Sequence, residues 1–192
     1  MRTFERARDG RLEVRLLEGE AVMLKMLLTE IRKLVADPGA GNAAIRRLSP
    51  RAYLDPTEEE AEEQWRELVH DDLVGGRVRA FDTVWTLLDE AVPVRGRVEL
   101  TLDAAHEDLF LRSVNDLRLS LAALLEESGR GPDGDADHTA PAAGATAPRQ
   151  ESSGDDQQAR MLLEWLGGLV ADHVDLLLAE MPEHPGADPG IS

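Results

Sequence analysis

Residues 103–127 constrain the fold more than any other stretch of the chain. At about 100° per residue, Phe110, Val114, Leu117, Leu121, Leu124 and Leu125 form one apolar stripe, while Leu109 and Leu119 point well away from it. A helix that is apolar on several sides needs neighbours on several sides, so the pattern predicts the central helix of a bundle. Its polar insertions, Asn115, Asp116 and Arg118, would then lie partly out of water. That state is costly unless hydrogen bonds and an ion partner offset it.

The neighbours can be read from the rest of the chain. Leu17, Ala21, Leu24, Leu28, Ile31 and Val35 recur at steps of four and three and stop before Pro38-Gly39, which predicts a first helix. A short helix is expected over residues 43–48, before the turn at Ser49-Pro50. In Thr57-Glu58-Glu59-Glu60 the Thr57 hydroxyl can accept from the backbone N–H of Glu60, whose carboxylate can reach back, so a capped helix should start there. Between residues 57 and 91 the apolar phase slips: Trp65, Leu68 and Val69 share one face, and Val74, Val78, Phe81, Trp85 and Leu88 share another. A break at residues 70–76 is therefore expected, with Asp71 or Asp72 as a new cap and Gly75-Gly76 adding slack.

Strand signals are fewer. Residues 4–8 and 11–16 flank Asp9-Gly10, a two-residue turn signal, and Leu12, Val14 and Leu16 alternate on one face. Residues 97–101 alternate Val98 and Leu100 and read as a third strand. Residues 128–156 are rich in Gly, Pro, Ala, Asp and Ser, so ordering them would lose entropy without compensating burial, and a disordered acidic linker is expected. Residues 157–181 form a last helix completing the core of residues 1–127, followed by a flexible tail over 182–192. The expected fold is mainly α: a helical bundle of about four to five helices with a small antiparallel β-sheet, an N-terminal hairpin plus a third strand.

Composition excludes several functions. The net charge of -17, from 38 acidic and 21 basic residues, opposes a phosphate backbone, so nucleic acid is an unfavoured partner. With no cysteine there is no disulfide framework, thiolate metal site or cysteine nucleophile. The start of the chain has no apolar signal core, and no segment approaches the roughly 20 apolar residues needed to span a bilayer. A cytoplasmic address without a membrane partner is expected by elimination.

Motifs of chemistry are weak. His70, His106, His138, His173 and His184 form no HExxH pair, and His173, in mid-stripe on the last helix, reads as a satisfied core or interface histidine. His70-Asp71-Asp72 reads as a helix junction. Gly39-Ala40-Gly41-Asn42-Ala43-Ala44 follows a helix rather than a strand, which removes the context of a dinucleotide loop. Asp133, Asp135 and Asp137 begin like a calcium loop, but His138 stands where glycine is needed and Gly144 where glutamate is needed. No phosphate loop or nucleophile elbow occurs, and a non-enzymatic protein without cofactor or metal is expected.

Two surfaces remain. Asn115, Asp116 and Arg118 are either a polar lock holding the bundle in register, the commoner use of such groups, or a recognition site for a carboxylate or peptide backbone. The acidic run containing Glu58, Glu59, Glu62 and Glu63 is a solvated helix start favoured by the helix dipole, or a docking face for a basic partner.

Three segments carry a family resemblance: Arg97-Val98-Glu99-Leu100-Thr101, then Ser113-Val114-Asn115-Asp116-Leu117-Arg118-Leu119, then Trp165-Leu166. Leu48-Ser49-Pro50-Arg51-Ala52-Tyr53 adds a Leu-x-Pro-x-x-Tyr turn. Together they resemble the actinobacterial proteins of unknown function encoded beside the adaptor ClpS, some of them labelled probable transcriptional regulators. The resemblance implies an interaction or regulatory protein accessory to Clp-dependent proteolysis, with ClpS or a Clp subunit as partner. Its alternatives are a transcriptional regulator, or an enzyme with a small-molecule pocket near Asn115 and Arg118. A homo-oligomer is compatible with either.

Overall fold

The computed structural model describes residues 3–36, 43–53, 55–127 and 153–181. Strands β1 (Phe4–Arg6), β2 (Leu12–Leu17) and β3 (Arg97–Leu102) form an antiparallel sheet in that order. Its register sets Leu12 against Leu102, Val14 against Leu100 and Leu16 against Val98, and all six side chains are buried on one face. Period-two alternation leaves Arg15 on the other face, where it pairs with Glu5, Glu13 and Glu99.

The turns differ from expectation. Only Gly10 has positive φ (84°) in the first hairpin, with Ala7 N donating to Arg11 O at 2.9 Å and Gly10 N to Ala7 O at 3.0 Å. With Arg6 paired to Leu12, Asp9-Gly10 is not a two-residue turn but part of the longer loop over 7–11, which contains a left-handed glycine. The two-residue geometry occurs instead at Arg95 (φ 54°) and Gly96 (φ 76°), between Val94 and Arg97, which exchange backbone hydrogen bonds of 2.7 and 3.1 Å.

Helix α1 (Glu18–Ala36) leaves β2 without a loop, and Glu20 Oε2 accepts from Leu17 N at 2.7 Å. Ala21, Leu24, Leu28, Ile31 and Val35 are buried as the spacing predicts, but Leu17 ends the strand and is exposed. Helix α2 (Ala43–Leu48) follows. The Thr57 capping box is not formed. Asp55 caps a short 3-10 turn (Pro56–Glu58), accepting from Thr57 N at 2.9 Å and Thr57 Oγ1 at 2.7 Å.

The predicted break at residues 70–76 is absent: α3 is one helix, Glu59–Glu90. The phase slip is real, but the two faces are not both buried. The first half buries Glu62 beneath Ala52 and Tyr53, while farther along Phe81, Val84 and Leu88 are buried in the main core, where α3 packs on α1 and α4. Because Leu68 on the first face stays 80% exposed and only the second face enters the core, no packing demand interrupts the backbone ladder, and Gly75-Gly76 is carried at a modest propensity cost.

Helix α4 (Ala104–Glu127) is capped by Asp103, which accepts from His106 N at 2.9 Å. It packs against α1, α2, α3 and α5, the central place its several apolar sides predict. Helix α5 (Ser153–Glu180) begins earlier than the expected Gln157 and packs on α4 and β1. The fold is mainly α with a small three-stranded antiparallel sheet. The glycine segment 37–42, the linker over 128–152 with Asp133, Asp135, Asp137 and His138, and the tail with His184 lie outside the described residues.

Candidate functional site

The polar string in α4 serves two sites rather than one. At about 100° per residue Asp116 points roughly 160° away from Arg118 around the helix. Asp116 turns towards α3, where Arg77 Nε lies 3.4 Å from its Oδ2. The same guanidinium donates to Ser49 Oγ at 3.2 Å and to the carbonyl of Leu48, closing the C-terminal end of α2. Burial pushes the Asp116 carboxyl above its ordinary pKa, and Arg77 pulls it only partly back. On the other side of α4, Arg118 donates to Asn115 Oδ1 through Nε (3.3 Å) and Nη2 (3.1 Å). The partner of Arg118 is thus an amide one turn back, not an acid on a neighbouring helix, and the half-buried pair presents a guanidinium beside a carboxamide.

A second cluster joins β1, α4 and α5. Arg6 of β1 donates to Glu107 of α4 (2.7 and 3.2 Å) and to Glu180 of α5 (2.9 and 3.2 Å). His173 Nε2 lies 2.9 Å from Glu107 Oε1, and the Phe4 ring stands edge-on both to the His173 ring (5.8 Å) and to Phe110 (6.3 Å). Burial alone would raise the Glu107 carboxyl, but hydrogen bonds from Arg6 and His173 outweigh it and hold the pKa below the ordinary glutamate value. The same carboxylates raise that of Arg6. The available signal was a charged residue, Glu107, at the edge of the apolar stripe of α4, matched by a histidine on the apolar stripe of α5. His173 is buried and satisfied, as its mid-stripe position predicts.

The acidic run divides as well. Glu58, Glu59 and Glu63 are exposed, and Glu59 pairs with Arg51 at 2.5 Å. Glu62 is not a surface residue. It is 1% exposed and accepts from Ala52 N at 2.9 Å and Tyr53 N at 3.0 Å, which fixes the turn before α3. His70-Asp71-Asp72 lies inside α3 rather than at a junction.

Asp116–Arg77 and Arg6 with Glu107 and Glu180 are ion pairs between elements, whereas Asn115–Arg118 is a hydrogen bond within α4. Among the described residues, no group of three or more His, Asp or Glu is placed to hold a metal ion, and no helix is long and apolar enough to cross a membrane. No curated protein and no solved structure matches this chain. A family model does: that of a domain of unknown function, DUF2017, matches residues 1–177, through nearly all of α5, and the chain belongs to that family.

Proposed function

We propose that this protein is a non-enzymatic interaction partner that regulates Clp-dependent proteolysis, contacting ClpS or a Clp subunit. One surface carries the reading. At the start of α3, Glu58, Glu59 and Glu63 are exposed. An exposed acidic face suits a basic protein partner, the charges steering the encounter. The resemblance to proteins encoded beside ClpS supplies the identity of that partner.

The inter-element pairings support the same reading. Asp116 and Arg77, like Arg6, Glu107 and His173, join elements to one another, which favours a structural lock for Asp116. Of the basic residues on α1 and α2, Arg32 pairs with Asp82, Lys33 with Glu30 and Arg46 with Glu127. This weighs towards a protein partner and against a transcriptional regulator.

The test is co-purification of the intact protein from native cells, with and without crosslinking, beside the triple variant Glu58→Lys, Glu59→Lys, Glu63→Lys. ClpS or a Clp subunit should be enriched over an unrelated acidic control and lost in the variant. No enrichment in either format overturns the Clp assignment.

A further inference from the structure

The hydrogen-bond phase of the sheet leaves one edge open. Arg15 N donates to Thr3 O and Ala7 N to Arg11 O, both at 2.9 Å, so Arg11, Glu13 and Arg15 turn their backbone groups towards β1. Leu12, Val14 and Leu16 therefore turn theirs towards β3. By the register of β2 with β3, Val98, Leu100 and Leu102 point back at β2, while Arg97, Glu99 and Thr101 point outward. The adjoining turn agrees: Arg97 exchanges both outward bonds with Val94, and Glu18 N donates to Gly96 O at 3.0 Å. Past Arg97 the outer ladder stops. Val92, the next residue that could extend it, makes no backbone bond to Glu99 and is 78% exposed. Glu99 and Thr101, both exposed, keep two N–H and two C=O groups without a partner among the described residues.

The complement of such a row is the backbone of an extended peptide, which offers C=O and N–H groups at the same spacing. Val94 at one end and the start of α4 at the other limit the added strand to a few residues. Charge narrows its sequence. Glu99 lies on the exposed face in the row beside the open edge, so the residue opposite it on an added strand would stand about 5 Å away. On the other side Arg15 is held by Glu5 and by Glu13 at 2.6 Å and comes no nearer to Glu99 than 3.8 Å, so three carboxylates share one guanidinium. The Glu99 side chain is 67% exposed and free to turn to a second cation. Two antiparallel copies of β3 that set Glu99 against Thr101 would instead bring their Glu99 carboxylates to within about 7–8 Å of each other. A charge on an edge is the usual guard against self-pairing, and this one repels acidic strands while admitting basic ones. We infer that the outer edge of β3 takes an extended segment of another protein as a fourth strand, with a lysine or arginine opposite Glu99. This surface is separate from the acidic start of α3, and the inference stands whether or not the partner belongs to the Clp machinery.

The experiment uses the full chain and three labelled synthetic peptides. One alternates lysine and valine, one has glutamate in place of lysine, and one is the lysine peptide N-methylated at its lysines, which keeps the charge but removes the donors that would face β3. By fluorescence anisotropy the lysine peptide should bind at least about tenfold more tightly than either of the others. Glu99→Lys should turn the preference towards the glutamate peptide. Thr101→Pro, which removes an outward N–H and leaves the β2 ladder intact, should weaken binding of the lysine peptide while a cooperative thermal transition is retained. The triple variant at the start of α3 should still prefer the lysine peptide over its N-methylated form, which separates the two surfaces. Hydrogen exchange gives a second readout: in the free protein the Glu99 and Thr101 amides should exchange at least about tenfold faster than those of Val98 and Leu100, and the lysine peptide should slow them. No binding, equal binding of the three peptides, a preference that Glu99→Lys leaves unchanged, or amides of Glu99 and Thr101 already protected in the free protein would overturn the inference. So would a dimer in sedimentation velocity whose formation protects those two amides, because the occupant would then be a second copy.

Discussion

Arg77 of α3 lies with its Nε 3.4 Å from Asp116 Oδ2 of α4, and the same side chain donates to the Leu48 carbonyl and the Ser49 hydroxyl at the end of α2. One guanidinium thus ties three helices. Arg77→Met should leave a largely buried carboxylate and a helix-end carbonyl without this partner. Because both side chains keep about a fifth of their surface in water (24% and 20%), the cost should be about 2 kcal/mol rather than the larger value of a fully buried pair. Urea unfolding checks this, and the double variant Arg77→Met, Asp116→Leu should regain much of the loss. Unchanged stability of Arg77→Met would mean that the pair does not lock the helices.

Asp116 also makes a prediction about pH. Burial raises its carboxyl above the ordinary value of 3.8, so the protonated form is favoured more in the folded than in the unfolded state. The stabilisation is complete below the unfolded pKa and is lost as pH rises through the folded one. Asp116→Asn should therefore be milder at neutral pH than Arg77→Met, since it removes the charge that burial penalises and keeps an acceptor for Arg77. Carboxyl carbon NMR should show Asp116 titrating above a free aspartate, and a titration below it would refute the burial argument.

Glu107 has the opposite sign. Its carboxyl is held below the ordinary value of 4.5 because the hydrogen bonds from Arg6 and His173 outweigh burial. The stabilisation is present above the unfolded pKa and fades as pH falls through the folded one. Glu107→Gln should cost about 1–2 kcal/mol at neutral pH, the range for a part-buried charged hydrogen bond. The gap from the unaltered protein should close as pH falls below 4.5, which denaturant melts across an acid series can follow.

Within the acidic run, Glu62 and Glu63 should behave as different kinds of residue. Glu62→Ala strands the N–H groups of Ala52 and Tyr53 and should cost about 2–3 kcal/mol. Glu63→Ala changes an exposed side chain and should fall within about 0.5 kcal/mol of the unaltered protein. Equal thermal stability of the two variants would contradict the burial of Glu62.

At the turn before β3, Arg95 holds a positive φ of 54°, a conformation that asparagine tolerates better than arginine. Arg95→Asn should stabilise the fold by about 0.5 kcal/mol, and Gly96→Ala should destabilise it by about 1 kcal/mol because alanine resists the left-handed region. Thermal melts of both variants check the turn, and a stabilising Gly96→Ala would show that it is misassigned.

Much of the fold was legible because it depends on near neighbours in the chain. The stripe of α1, the alternation of β2 and β3 and the several apolar sides of α4 follow from spacing alone, since side-chain direction along a helix or strand is a property of local geometry. Local pattern also misled where an apolar face was not taken into the core. The phase slip in α3 looked like a break, yet only the face of Phe81, Val84 and Leu88 enters the main core, while Leu68 on the other face stays 80% exposed.

The sequence by itself determined a mainly helical, acidic protein with a central α4 and a small sheet beside it. Only the tertiary structure decided how the polar residues divide. Asp116 meets Arg77 while Asn115 meets Arg118 in its own helix, and Glu107 meets Arg6 and His173, the latter 66 residues away. The reason is physical: periodicity records which way a side chain points, but an ion pair across elements depends on the angle and depth at which helices and strands pack, and no local spacing encodes that.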